Sequence, residues 1–381
     1  MTGSMLRIEV PGRKPGGYEV RLERGVLADV ARLTRLEAPA HRYAIISDSR
    51  VAPLYGERTR SALEAEGGEA RLFTFPAGEW NKTRQEWARL SDEMLAEGFG
   101  RDSAVVAVGG GVTGDLAGFV AATYMRGIPY VQVPTSLLAM LDSCVGGKTG
   151  LDTLEAKNPI GAFHQPSLVL IDPDLLGTLP IFQLASGLAE AVKAAAIADD
   201  ALFEWLESHV TKLLEREPDL LTELVRRSVA IKAEVVEEDP EESGRREILN
   251  FGHTIGHSLE VLGGYGVLHG EAVACGMRIE SRIGEILGVT DEGTSTRLAA
   301  LLGACELDRP LEEELTAERV LGAAQADKKV RGSVLRCVLL GGIGRVSQAA
   351  GGGWSHALPP DGALELLRAA LRSQTRGADS G

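Results

Sequence analysis

Three of the seven histidines, His253, His257 and His269, fall within one 17-residue stretch, where even spacing would put about 0.3. His253 and His257 stand four apart, so on a helix they share one face. Neutral imidazoles so placed, joined by a carboxylate from elsewhere, suit a divalent metal such as Zn²⁺ with one position open for substrate. The segment is not H-E-x-x-H, so it lacks the general base of a zinc protease. Glu190, an acid in the otherwise apolar stretch Gly187–Lys193, is the candidate carboxylate. A lone histidine would read as structural; this cluster reads as metal binding or catalysis.

Gly109–Gly114 satisfies G-x-G-x-x-G directly after the apolar run Ala104–Val108. Glycines there let backbone N–H groups approach a pyrophosphate, and the following helix offers its positive end. The acid expected about 20 residues further on is missing, and Asp115 follows at once instead. A tight strand-to-helix turn is the alternative reading. A third group is cationic: Arg126, Lys148, Lys157, Lys193, Lys232, Arg246, Lys328 and Lys329 each occupy a distinctive setting instead of a charge run. Singly each reads as solvated surface. Jointly, if they converge, they make an anion pocket in which Arg forks onto carboxylate or phosphate and Lys adds a compact charge.

Such chemistry needs rigid elements to hold it. Tyr43–Ile46, Ala104–Val108, Tyr130–Pro134 and Leu168–Ile171 read as buried parallel strands, with helices over 83–97 and 114–124. This alternation predicts an α/β domain whose mostly parallel sheet binds ligands beyond the strand carboxyl ends. After Pro180 the sequence turns Ala-, Leu-, Glu- and Lys-rich at helical spacing over 183–238 and again over 269–303. Residues 1–180 are therefore read as α/β and 181–381 as mainly α-helical. Val334–Leu340 is a strand or buried segment, Gly351–Gly353 and Pro359-Pro360 mark loops, and Ser373–Gly381 reads as a frayed polar tail.

The 381 residues include 40 basic and 54 acidic side chains, a net charge of −14. That surplus argues against binding nucleic acid or a membrane surface, since both need a basic face. It leaves room for a local cationic pocket around a small anion. No uncharged apolar stretch reaches about 18 residues, and the start lacks a signal-peptide core; Met5 is an alternative start. Four scattered cysteines (Cys144, Cys275, Cys305 and Cys337) fit a reducing compartment, so a cytoplasmic protein is expected.

From about Tyr43 to about Gly344 the chain carries an ordered series of motifs: Gly109–Phe119, Ala122–Gly127, Asp142–Thr149, Lys157–Pro166, Leu249–His257 and Leu268–Val273. Together they resemble the sugar-phosphate cyclase superfamily, and within it the 3-dehydroquinate synthase family. The resemblance implies an N-terminal NAD-binding α/β domain (1–180) and a C-terminal helical domain (181–381) that binds metal and substrate. It also implies a phosphate-eliminating lyase of the shikimate pathway. In that reaction 3-deoxy-D-arabino-heptulosonate 7-phosphate is oxidised by NAD⁺ at a ring hydroxyl, loses phosphate and is reduced back. The ring then opens and closes as a carbocycle by aldol addition, with NAD regenerated each turnover.

Carried over residue by residue, the resemblance implies that Glu190, His253 and His269 hold Zn²⁺ or Co²⁺, with His257 an outer-sphere or proton-transfer group. It implies substrate contacts from Asp142, Lys148, Asn158, Lys193, Lys232, Arg246, Asn250 and one of Lys328 or Lys329. Arg126 would reach the phosphate, across the interface of a homodimer. For NAD it implies Asp48, Glu79, Lys82, Gly110, Gly111, Val112, Asp115, Thr135, Ser136, Lys148, Lys157 and Thr178. Ser136, Cys144, Ala156 and Pro159 depart from the usual pattern without removing a charge or ligand. Related cyclases that use sugars without a carboxylate alter the residues facing it, whereas Lys232, Arg246, Asn250 and His257 keep the dehydroquinate-type pattern. An amino analogue of the substrate differs by one heteroatom, which the sequence does not distinguish. A polyol dehydrogenase would not need Lys148, Lys157 and Arg246, and a non-catalytic binding protein would leave the whole set unexplained.

Overall fold

Long buried strands and the helices between them account for the first part of the chain. The computed structural model describes residues 4–9, 17–153, 156–263, 266–308, 315–327, 334–359 and 361–375. The chain divides into two compact units, Met1–Pro180 with Pro218–Pro240, and Ile181–Glu217 with Glu241–Gly381. The first carries strands β1 (Ser4–Ile8), β2 (Tyr18–Leu22), β3 (Arg42–Asp48), β4 (Glu69–Phe75), β5 (Ser103–Gly109), β6 (Tyr130–Pro134), β7 (Lys148–Leu151), β8 (Ile160–Phe163) and β9 (Leu168–Ile171). Its helices include α1 (Val30–Glu37), α2 (Glu57–Ala65), α3 (Arg84–Ala96) and α4 (Gly111–Thr123).

Seven of these strands form one sheet in the order β1-β2-β9-β6-β5-β3-β4, while β7 and β8 make a separate hairpin. Only β1 runs antiparallel to its neighbour; all the other pairings in the sheet are parallel. β5, β6 and β9 are buried along their whole length, which is why they read as unbroken apolar runs. Leu90 and Met94 of α3 and Leu116, Ala117 and Val120 of α4 pack with Ala44, Ile46, Phe73 and Val105 of the sheet. From β3 the chain moves to β4 on one side, then returns through α3 to β5 on the other. That reversal between β3 and β5 is a topological switch point, and the glycine loop lies at its carboxyl edge.

The stretch 183–238 is three helices, α5 (Ile181–Ala198), α6 (Asp200–Leu214) and α7 (Pro218–Glu238). Asp199 caps α6 by accepting the Leu202 N–H at 2.8 Å, and Pro218 opens α7, a position where its missing N–H is harmless. A single division at residue 180 does not describe α7, which belongs to the first unit. It is tied there along its length: Asp219 to Arg24 at 3.3 Å, Lys232 to Asp142 at 2.8 Å, and Glu237 to the Glu9 N–H at 3.0 Å.

The second unit is mainly helical, with α5, α6, α8 (His253–Leu262), α9 (His269–Ile286), α10 (Thr294–Ala304), α11 (Ala317–Asp327) and α12 (Ala363–Thr375). Ile255 and Leu259, Ile279 and Ile283, Val320, and Leu367 bring α8, α9, α11 and α12 into one apolar core. The 334–340 run forms two short strands, Arg336–Val338 and Leu340–Gly342, each paired antiparallel within a small two-stranded sheet. Among the described residues, α5 alone has the length and hydropathy of a membrane span. It contains Glu190 and Lys193, and Leu184–Ile197 are buried, as in a core helix.

Candidate active site

Three helices of the second unit bring the metal-type donors together. Glu190 lies on α5, His253 opens α8 and His269 opens α9. The helices meet backbone to backbone: a Cβ on Gly276 of α9 would lie 1.9 Å from the Gly252 carbonyl oxygen. A Cβ on Gly270 would lie 2.0 Å from the Ser186 carbonyl of α5. No residue but glycine fits either place.

The ligand atoms of Glu190, His253 and His269 all lie within 4.8 Å of one another. His269 Nε2 is 3.1 Å and His253 Nε2 3.6 Å from Glu190 Oε1. Each ring is held by its other nitrogen: His253 Nδ1 lies 3.1 Å from the Phe251 carbonyl, and His269 Nδ1 3.1 Å from Glu260 Oε1. A ring that donates through Nδ1 turns an unprotonated Nε2 toward the carboxylate, so three acceptors face one point. That donor set fits a divalent cation, with Glu260 the outer carboxylate that orients a ligating imidazole. Burial and then the Lys193 cation hold His253 well below the ordinary imidazole pKa, in the neutral form a metal requires. Burial favours a neutral Glu190, but the Lys193 ammonium outweighs it and holds the carboxyl well below its usual range. Lys193 pairs directly with Glu190, one helical turn away. His257 lies edge-on to His253, ring centroids 5.2 Å apart, and forms a second close group with Glu260 and His269.

In the first unit the glycine loop sits at the switch point. Gly110 is the N-cap of α4, with no side chain capping the first turn. A Cβ on Gly110 would come within 3.3 Å of Ser136 Oγ, and one on Gly111 within 3.2 Å of Ser143 Oγ. The cradle bounded by these glycines, with Val112 next in the helix, fits a pyrophosphate. Thr135 N–H donates to the Gly109 carbonyl at 2.9 Å. Asp48, at the end of neighbouring β3, lies 3.4 Å from Thr113 Oγ1 and accepts the Arg50 N–H. An acid therefore does face the loop, from upstream in the sequence. Thr178 is placed by its hydroxyl, 2.8 Å from the Tyr55 hydroxyl.

Beside the loop is a buried ionic group. Lys82, only 2% exposed, pairs with Glu79 at 2.7 Å, Asp115 at 3.2 Å and Asp152 at 3.5 Å, and Lys157 reaches Glu79 at 3.7 Å. Burial opposes the Lys82 charge, yet the three carboxylates raise its pKa above the ordinary value. Burial likewise opposes the Glu79 carboxylate, but Lys82 and Lys157 lower it to about 2. Asp152 is pushed by burial, and secondarily by Glu79, up to about 6. Asp152 Oδ1 also accepts the Asn158 N–H at 2.7 Å, where Asn158 has a positive φ of 53°.

The remaining residues divide between the units. Asp142 and Lys232 pair in the first, Lys148 opens β7, and Arg126 is exposed in a left-handed conformation with φ 70°. In the second, Arg246 is buried and Asn250 donates to Glu242 at 3.0 Å. Lys328 and Lys329 lie outside the described residues. The anion-pocket cations Lys157, Lys193 and Lys232 are thus not bare charges: each has a carboxylate partner. Asp152, Glu242, Glu260 and Glu280 were not singled out from the sequence, because an acid on a helix or loop reads as solvated until its neighbours are known.

Two family models match the chain: the 3-dehydroquinate synthase N-terminal model over residues 72–186 and the C-terminal model over 187–330. The chain belongs to the 3-dehydroquinate synthase family. The 3-dehydroquinate synthase of Symbiobacterium thermophilum is 45% identical over 324 residues, covering 84% of this chain and 90% of that protein. That of Caulobacter vibrioides is 44% identical over 347 residues, covering 89% and 94%. Among solved structures, 2-deoxy-scyllo-inosose synthase complexed with carbaglucose-6-phosphate, NAD⁺ and Co²⁺ is similar with a TM-score of 0.87. It is 26% identical and covers 96% of this chain and 99% of its own. The 2-epi-5-epi-valiolone synthase of Streptomyces hygroscopicus, with NAD⁺ and Zn²⁺ bound, has a TM-score of 0.85 at 31% identity, covering 97% and 99%. An iron-containing alcohol dehydrogenase, 14% identical with a TM-score of 0.66, shares the fold alone. As a 3-dehydroquinate synthase family member the chain is an enzyme, a phosphate-eliminating lyase of the shikimate pathway.

Proposed function

We propose that this enzyme converts 3-deoxy-D-arabino-heptulosonate 7-phosphate to 3-dehydroquinate and phosphate with NAD and one Zn²⁺ or Co²⁺. The observation that carries the reading is the convergence of His253 and His269 Nε2 on Glu190 Oε1. Those three residues would hold the metal, which when bound supplies a Lewis acid for the hydroxyl to be oxidised. The cradle of Gly110, Gly111 and Val112, with Asp48, Glu79, Lys82, Asp115, Thr135, Ser136, Lys148, Lys157 and Thr178, would hold NAD, which when bound takes and returns one hydride. Two bound cofactor structures of the same fold support this pairing.

The substrate carries a phosphate and a carboxylate. Lys148, Lys193, Lys232 and Arg246 would neutralise them, with Arg126 and one of Lys328 or Lys329 adding charge. Asp142, Asn158 and Asn250 would orient hydroxyls, and His257 would move a proton. Existing partners such as Asp142 on Lys232 pre-orient the ammonium groups at the expense of some net charge. Buried cysteines that form no disulfide support a cytoplasmic location, and a homodimer is part of the same proposal. Residues 1–180 with α7 would be the NAD unit, and the rest the metal unit.

The test supplies the heptulosonate phosphate with NAD⁺ and Zn²⁺ and follows free phosphate and NADH absorbance. Phosphate release without net NADH is expected. Net NADH accumulation would make it a dehydrogenase, and turnover only of an amino analogue or another sugar phosphate would overturn the substrate.

A further inference from the structure

We propose that Glu280 is a positioning residue for the metal centre, fixing the first turn of α8 and through it the aim of His253. The inference rests on the reading that Glu190, His253 and His269 hold a divalent cation. The N-cap of α8 is Gly252, with φ 78° and no side chain of its own to cap the helix. Glu280 of α9, fully buried, supplies that function from another element: its carboxylate accepts the Gly252 N–H at 2.8 Å and the Ile255 N–H at 3.3 Å. A carboxylate at a helix N-terminus satisfies orphan donors and complements the helix dipole. His253 lies between the two captured amides, so the same bonds set where its ring begins. The close approach of Gly276 to Gly252, one turn before Glu280, brings the carboxylate within reach. α9 therefore carries one of the three ligands, His269, and aims a second, His253.

Glu285, also on α9, is a matched control. It accepts the Ser295 N–H at 2.8 Å and the Ser295 hydroxyl at 2.6 Å in the first turn of α10, a helix with no proposed ligand. Metal-free full-length protein is titrated with Zn²⁺ against a chromophoric chelator, and the Co²⁺-loaded absorption spectrum is recorded, for wild type, Glu280→Gln, Glu280→Ala and Glu285→Gln. Glu280→Gln is expected to weaken Zn²⁺ about 10- to 100-fold and shift the Co²⁺ bands, with NAD affinity unchanged. Glu285→Gln is expected to lower Tm while leaving metal affinity and spectrum as in wild type. Wild-type affinity and spectrum in Glu280→Gln would overturn the inference. A measurement on the unaltered protein stands if neither Glu280 variant folds: Zn²⁺ should slow hydrogen exchange at the Gly252 and Ile255 amides, since coupling is reciprocal. Unchanged exchange there would also overturn it. A wild-type protein that binds no Zn²⁺ would instead overturn the metal-site reading itself.

Discussion

Around Lys82, three carboxylates and two ammonium groups lie within ion-pair reach, so the charges buried in the first unit largely offset one another. Around Glu190 the composition differs. One ammonium group, Lys193, balances one carboxylate, and two imidazole nitrogens add lone pairs without adding positive charge. The first arrangement is complete as a protein structure and offers an organic cofactor a rigid polar wall. The second is a set of acceptors whose chemistry calls for a cation. Two buried polar groups of similar size thus point to different kinds of ligand, and the distinction lies in which atoms are donors, not in how much charge is buried.

The sharpest way to break this contrast is His269→Ala. Turnover is expected to fall by about a thousandfold or more and bound metal to be lost, while NAD affinity stays near wild type. Metal content by elemental analysis and NAD titration by fluorescence check it, and retained metal would defeat the ligand assignment. Lys82→Met should strike the other unit: it leaves carboxylates buried without their cation, a loss of about 3–5 kcal/mol. Urea unfolding should show that loss most fully at pH 8. It should be relieved at lower pH, where the carboxyls can take up protons. Glu260→Gln is subtler, since an amide can still accept from His269 Nδ1 but polarises the ring less. Zn²⁺ affinity should drop about tenfold with little change in Tm.

The smallest effect is electrostatic and lies at Asp152. Its folded pKa of about 6 exceeds the unfolded value, so the folded state binds the proton more tightly and stability falls as pH rises through about 4 to 6. Glu79, lowered to about 2, contributes in the opposite sense, but at lower pH. Asp152→Asn should flatten the stability profile between pH 4.5 and 6 by about 1 kcal/mol, read from denaturant midpoints. An unchanged slope would mean that Lys82 keeps Asp152 ionised throughout.

Much of this was legible in the sequence where the signal is local. β3, β5, β6 and β9 are wholly or largely buried strands, so composition alone marked them, and the glycine loop follows β5 directly. The histidine cluster was visible because His253 and His269, two of the proposed ligands, open neighbouring helices. β1, β2 and β4 were not singled out; β2 and β4 alternate buried with less buried positions over only a few residues. α7 looks like any amphipathic helix, and its membership in the first unit depends on partners such as Arg24 and Asp142, far away in sequence. The burial of Lys82 and the pairing of Glu260 with His269 are tertiary facts of the same kind.

The return of α7 has a consequence for synthesis. The chain leaves the first unit after Pro180, comes back at Pro218 and leaves again after Pro240. A fragment ending at residue 180 would lack Lys232, so the gene has no single cut that separates the first unit from the second. On the ribosome, the first unit must wait with its α7 surface uncovered until residue 240 has emerged. By then α5 and α6 of the second unit are already outside the tunnel, so the two units are made interleaved instead of one after the other.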